Sequence, residues 1–195
     1  MIISISREYG SAGHEIGEML AQKLNVPLYD RNILQDIAKE KGVLTEEMEK
    51  YDEKPKNLLF ARKLGEHTNS MEWHIANMQF DYLKEKAESG ESFVVVGRCA
   101  DAVLSAYKDL VTVFITADED EKLLHIMTKF GVGEVEAREK MYRHDKKRKQ
   151  YHANYSNTTW GDVHSYDLCI NSSSLGLDKS VDFIAEFAKM MTEDK

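Results

Sequence analysis

The chain has 195 residues, 42% hydrophobic and 31% charged, with a formal net charge of -8. That length fits one domain with a sizeable core, and that balance belongs to a globular chain, not a disordered one. The acidic sum argues against non-specific nucleic-acid binding, and no stretch approaches the roughly 20 consecutive apolar residues of a membrane-spanning helix.

The opening MIISIS predicts a strand. It has neither the basic region nor the long apolar run of a secretory leader, so a cytoplasmic location is expected. Residues 13–25 read as a helix, with Ile16, Leu20 and Leu24 at spacing four. VPLYD (26–30) reads as a short strand. A helical stripe of Ile33, Leu34, Ile37 and Ala38 follows over 31–41, ended by Gly42. Residues 44–90 are polar, methionine-rich and mostly helical in pattern. Within them His67, Met71, His74 and Met78 recur as one helix face, a packing or dimer surface, since no carboxylate or cysteine completes a metal set.

SFVVVG (92–97) is a continuous apolar run, as in a strand covered on both faces. A short helix over 99–107 and a strand over 110–116 follow. DEDE (118–121) opens the next helix, with Asp118 as N-cap and Glu121 close to a capping-box position. Helices run on to about 151, residues 152–165 are irregular, YDLCIN (166–171) is the last strand and 178–191 the last helix. Pro27 and Pro55 fall between elements. Cys99 and Cys169 each lie in or beside an apolar run and read as buried free thiols.

Alternating strands and helices imply a parallel α/β sheet covered on both faces, which binds ligands beyond the carboxyl ends of its strands. The loop at 7–13 and the Gly97-Arg98 pair both leave such ends and should face each other. In SREYGSAGHEIG (6–17), Gly10, Ser11, Ala12 and Gly13 could wrap an anion at a helix N-terminus. Set on the phosphate-loop pattern G-x-x-x-x-G-K-[ST], Glu8 replaces the first glycine, His14 the lysine and Glu15 the Ser/Thr. Glu15 would repel a triphosphate unless magnesium lies between them, and Arg7 is a candidate for the missing positive charge. From the motif alone, an anion cradle and a structural glycine turn both stand.

The order of ISREYGSAGHEIGEMLAQKLNVPLYDRNIL, VVVGRCAD, VFITADEDEK, HDKKRKQYHANYSNTTWGD and YDLCINSSSLGLDKSVDFI resembles the cytidylate kinase-like family, a branch of the P-loop nucleoside monophosphate kinases. The resemblance is weakest over 44–90. It implies a three-layer fold, a five-stranded parallel sheet with helices on both faces. One kinase-like domain would comprise a core of about 1–43 and 91–195 and a helical insert, about 44–90, for acceptor binding or pairing with a second copy as a homodimer.

The resemblance places Gly10, Ser11, Ala12, Gly13, His14, Glu15 and Ile16 on the donor-phosphate loop. Arg98 falls on the arginine that grips the acceptor phosphate. Asp145 and Arg148 fall on a segment contacting the acceptor nucleotide, and Asp30 on an aspartate near it. The implied catalytic set is Arg98, Arg148 and His14. The implied cofactors are ATP and Mg2+, the ion held partly by water, with no dedicated metal cluster. The expected partners are nucleotides, with no nucleic acid or membrane.

The sequence also departs from the pattern. Gln35 and Asp36 stand near a lost acceptor-site arginine. Lys122 falls on one lid arginine, but His125 and Ile126 stand where two more would be. The activity the resemblance implies is ATP-dependent phosphorylation of a nucleoside monophosphate such as CMP or dCMP. The alternatives are a nucleotide-binding regulatory protein without turnover, or a kinase for a non-nucleotide acceptor.

Within RHDKKRK (143–149), Arg148 and one of Arg143 or Lys147 are expected to face the cleft. Asp145 either contacts a sugar or base or orients Arg148. Arg98 makes either a phosphate contact or an ion pair at the sheet edge, and Arg98→Ala should raise the acceptor KM strongly with little loss of fold stability. Trp160 or Tyr155 either stacks a base or, for Trp160, anchors its loop on the core.

Overall fold

The computed structural model describes residues 1–41, 63–64, 67–68 and 71–193. In chain order these form β1 (Ile2–Arg7), α1 (Gly13–Leu24), β2 (Leu28–Tyr29), α2 (Ile33–Lys41), β3 (Lys63–Leu64), β4 (His67–Thr68), α3 (Met71–Glu88), β5 (Phe93–Val96) and α4 (Ala100–Val103). Then follow β6 (Leu110–Thr116), α5 (Glu119–Phe130), α6 (Glu134–Tyr155), a 3-10 turn at Val163–Ser165, β7 (Leu168–Asn171) and α7 (Ser172–Glu193).

The five-stranded sheet has the order β2-β5-β1-β6-β7 and is parallel throughout. The most apolar strands take the interior positions, since only there are both faces covered. On one face Ile3, Ile5, Val94 and Val113 pack against Ile16 and Leu20 of α1 and Val181 and Ile184 of α7. On the other, Ile2, Phe93 and Val95 pack against Ile33 and Ile37 of α2, Ile75 and Leu83 of α3, and Ala100. A third cluster joins α5 to α6 through Leu123, Ile126 and Ala137, with Tyr9 of the first loop packed against it. This is the architecture the strand–helix alternation implied.

Several local expectations change. Lys63–Leu64 and His67–Thr68 pair antiparallel inside the segment expected to be helical. His67 therefore does not share a helix with Met71, His74 and Met78. Met71 and His74 are exposed, and the buried face of α3 is carried by Ile75, Ala76, Gln79, Phe80, Tyr82 and Leu83 instead. Helix α6 runs on to Tyr155, because Tyr151 and His152 are buried and continue the core-facing side past residue 151.

Cys99 is buried and outside any disulfide, as expected, but Cys169 is exposed, on the edge strand β7. Asp118 is the N-cap of α5 but makes no side-chain cap bond, its Oδ1 accepting from Asn171 Nδ2 at 2.8 Å instead. The helix end at Gly42, the turn at Pro55 and most of the 44–70 expectations lie outside the described residues.

Candidate active site

The loop between β1 and α1 leaves the carboxyl end of the central strand. Gly10 (φ 90) and Ala12 (φ 55) are both left-handed. A Cβ on Gly10 would lie 2.8 Å from Lys122 O, and one on Gly13 would lie 2.5 Å from Arg7 Cβ. Glycine is required at both positions, by conformation at the first and by the closeness of β1 at the second. Ser11 Oγ donates to Glu8 O at 2.9 Å, and Ser172 Oγ donates to Ser11 O at 2.9 Å, tying the loop to the start of α7.

Ala12 is the N-cap of α1 and offers no side-chain acceptor. The first amides of α1 therefore have no partner within the helix, and its positive dipole end lies at the loop. The loop lines a concavity of about 80 Å³ together with His125, Lys129 and Arg148. Beside it a wider cleft of about 550 Å³ opens between α5 and the start of α7, walled by Leu124 and Leu177. Backbone amides at a helix start, next to a roomy cleft, form an anion cradle with space for a larger ligand.

The two acidic residues of the loop are neutralised by α5. Glu8 accepts from Thr116 Oγ1 at 2.6 Å and from Lys122 Nζ at 2.7 Å. Burial pushes its carboxyl up, but the Lys122 ammonium and Thr116 hydroxyl outweigh this and hold it below the usual range. Glu15 pairs with Lys129 and lies 3.4 Å from His125 Nε2. Burial again pushes upward, and Lys129 leads the groups that bring the net below the ordinary value.

His14 does not replace the loop lysine in kind. Its Nε2 sits 3.5 Å from Asp30 Oδ2 and 3.4 Å from Glu18 Oε1. The Arg7 guanidinium lies across the end of β5, where a Cβ on Gly97 would come within 2.5 Å of its Nη1.

Helix α6 closes on the other side of the loop. Tyr9 N donates to Asp145 Oδ1 at 2.8 Å, and Arg148 Nη1 donates to Arg7 O at 3.1 Å while lying 3.5 Å from Asp145 Oδ1. The Tyr9 ring stacks on His144 at 4.2 Å with the Arg148 guanidinium over its face. Burial raises the Asp145 carboxyl above its usual range, although the Tyr9 amide and Arg148 pull the other way. Arg148 reaches the loop as expected, whereas Arg143 and Lys147 are exposed.

At the end of β5, Gly97 (φ 80), Arg98 (φ 63) and Cys99 (φ 51) are three consecutive left-handed residues. Such strain on non-glycine residues persists only where the surroundings fix it. Arg98 is only 1% exposed, its Nε donating to Asp30 O at 3.2 Å and its Nη1 to Gln79 Oε1 at 3.4 Å. Because β5 lies between β2 and β1, Arg98 follows an interior strand and not a sheet edge. Its enclosure argues that Arg98→Ala costs stability, against the expectation of little loss.

Arg98, Asp30 and His14 thus meet on one side of the loop, while Asp145 and Arg148 meet on the other. Asp30 Oδ1 also accepts from Asn32 N at 2.7 Å. Trp160 is buried edge-on against Phe114 and anchors its loop, and the Tyr155 ring meets Phe80 at 5.1 Å.

Sequence reasoning missed Gln79, Lys129 and a buried pair, His152 Nε2 to Asp101 Oδ2 at 2.7 Å, with side chains 3% and 4% exposed. One signal was available for the pair. His152 stands four residues after Arg148 and seven after Asp145, on the same helix face.

A parallel sheet of this order, with a glycine loop leaving its central strand into a helix N-terminus, defines the P-loop kinase class of fold. An uncharacterised protein of Eubacterium ventriosum is 34% identical, with a TM-score of 0.77, the match covering 97% of this chain and 98% of that one. Shikimate kinase from Bacteroides thetaiotaomicron is 16% identical (TM-score 0.53, 97% and 98% covered). Shikimate kinase from Acinetobacter baumannii, solved with shikimate, is 12% identical (TM-score 0.50, 100% and 94% covered). The two shikimate kinases are alike in fold alone. No curated protein matches the chain. The model of the cytidylate kinase-like family matches residues 2–174, and the chain belongs to that family.

Proposed function

We propose that the protein is an ATP-dependent phosphotransferase whose acceptor is a nucleoside monophosphate, CMP or dCMP first among them. The observation that carries this reading is the loop at 10–16. Left-handed Gly10 and Ala12 wrap the uncapped start of α1 at the carboxyl end of the central strand. Phosphoryl transfer needs in-line positioning and positive charge around the transferred group more than acid–base chemistry.

In this reading the loop amides hold the donor phosphates, and the cleft between α5 and α7 takes the donor nucleoside. The acceptor lies beside His14 and Asp30, with Arg98 behind them bracing the Asp30 backbone. Arg148 brings its charge from α6, oriented by Asp145. Magnesium bound with the nucleotide would offset the charge of the donor phosphates. Glu15 is the carboxylate that would hold it. No group of three or more His, Cys, Asp or Glu side chains forms a metal cluster among the described residues. A single carboxylate fits an ion that keeps waters and phosphate oxygens as its other ligands.

The test is transfer of labelled γ-phosphate from Mg-ATP to a panel of nucleoside monophosphates. Transfer to CMP or dCMP is the expected result. Binding of ATP without transfer to any member sinks the reading and favours the second one, a nucleotide-binding regulatory protein. That second reading draws on His14, which sits between Asp30 and Glu18 where a kinase loop carries its lysine. Activity that appears only in His14→Lys would establish it.

A further inference from the structure

Resting on the reading of the 10–16 loop as the donor-phosphate site, we propose that Lys129 of α5 supplies the positive charge that the loop lacks at position 14, and that Glu15 positions it. Six basic side chains surround the loop; four are engaged elsewhere, and His125 faces the Glu15 carboxylate from 3.4 Å beside Lys129. Lys122 is 12% exposed and holds Glu8. Arg148 is bonded to Arg7 O and faces Asp145. Arg7 crosses the end of β5 at Gly97, and His14 sits between Asp30 and Glu18.

Lys129 differs. It is 46% exposed, and its ammonium meets the Glu15 carboxylate. Both residues line the small concavity over the loop and the larger cleft, so their pair stands where the two spaces join. Glu15 follows His14 directly in the first turn of α1. Its carboxylate therefore brings a lysine ammonium to the mouth of the cradle from the neighbouring helix, the group that a phosphate loop ordinarily carries on its own lysine.

A half-exposed ion pair is weak and exchanges readily. Incoming phosphate oxygens are stronger acceptors in number and charge, and they draw the ammonium off Glu15. The freed carboxylate then faces the polyphosphate and repels it unless a divalent cation lies between them. The arrangement thus links two departures from the standard loop. The glutamate at the Ser/Thr position both delivers the replacement cation and makes binding depend on the metal.

The experiment is calorimetric titration of the full chain with ATP, once in excess MgCl2 and once in EDTA. Lys129→Met should weaken binding of Mg-ATP about ten- to hundredfold, and Lys129→Arg should stay near the parent. Adding His14→Lys to Lys129→Met should restore most of the loss, which a lysine that merely clasps α5 to α1 could not explain. Glu15→Gln gives a second, independent readout. It should strengthen binding in EDTA, opposite in sign to Lys129→Met, whereas a clasp would make the two variants behave alike.

Unchanged Mg-ATP affinity in a folded Lys129→Met protein overturns the inference and leaves the donor-site reading standing, and so does a Glu15→Gln protein that weakens with Lys129→Met in EDTA. A parent chain that binds no ATP overturns both. Binding that follows the expected pattern without phosphoryl transfer overturns the kinase reading alone.

Discussion

The two flanks of the glycine loop are held by different kinds of contact. Toward α5, its carboxylates meet lysines and a histidine at a partly open surface, with Glu15 and Lys129 27% and 46% exposed. Toward β5, Arg98 is shut in against Asp30 and Gln79, and a few residues on, Asp101 and His152 pair out of contact with water. Open ion pairs are worth little and can be exchanged for a ligand's charges, while enclosed ones are costly to break because a lone buried polar group is left behind. The flank toward α5 is therefore built to rearrange and the flank toward β5 to stay fixed.

The sharpest way to break this comparison is Asp101→Ala. It leaves His152 buried without its partner and should cost about 3–5 kcal/mol of stability, read by urea denaturation. A loss under half of that would show that the enclosed flank is no stiffer than the open one. Arg98→Ala removes the buried hydrogen bonds to Asp30 and Gln79 and leaves a void, so a loss of about 2–4 kcal/mol is expected.

Gly10→Ala tests the loop between the flanks. A left-handed alanine with its Cβ pressed on the Lys122 carbonyl should cost about 1–2 kcal/mol from conformation alone, with α5 pushed outward besides. On the open flank, Glu15→Gln should change neutral-pH stability by less than about 1 kcal/mol.

Acid unfolding sharpens the same contrast. The folded-state pKa values of Glu8 and Glu15 lie below the ordinary 4.5. Their stabilising contribution is therefore complete above that pH and lost as pH falls through the lower, folded values. Asp145 is shifted upward, so its contribution has the opposite sign and favours folding on acidification. Glu8→Gln and Glu15→Gln should each flatten the acid limb of stability against pH, and Asp145→Asn should steepen it.

The sheet was legible because its inner strands are unbroken apolar runs and its crossovers carry spacing-four stripes. The loop was legible because glycines clustered where strand turned to helix. What these residues touch was not. Asp30 and Gln79, which Arg98 bonds, lie 68 and 19 residues away in sequence. Nothing in GRCAD tells an arginine aimed at a ligand from one folded inward by three left-handed residues. Lys129 was hidden for the opposite reason, since a lysine on the polar side of an amphipathic helix looks like any solvated one. Cys169 misled because an apolar run at the sheet edge has only one covered side.

One face of α6 fastens to the core at three points, through Asp145 to the Tyr9 amide, Arg148 to the Arg7 carbonyl and His152 to Asp101. Each added residue in a helix turns everything beyond it by about 100°. A single insertion between 145 and 152 would therefore swing His152 away from Asp101 while Asp145 kept its grip, or the reverse. The spacing of these three residues is as much a part of their identity as their chemistry. The turn at 131–133, whose two glycines have open space around them, carries no such constraint. Changes of length in this half of the chain should accumulate there and be purged from the helix that follows.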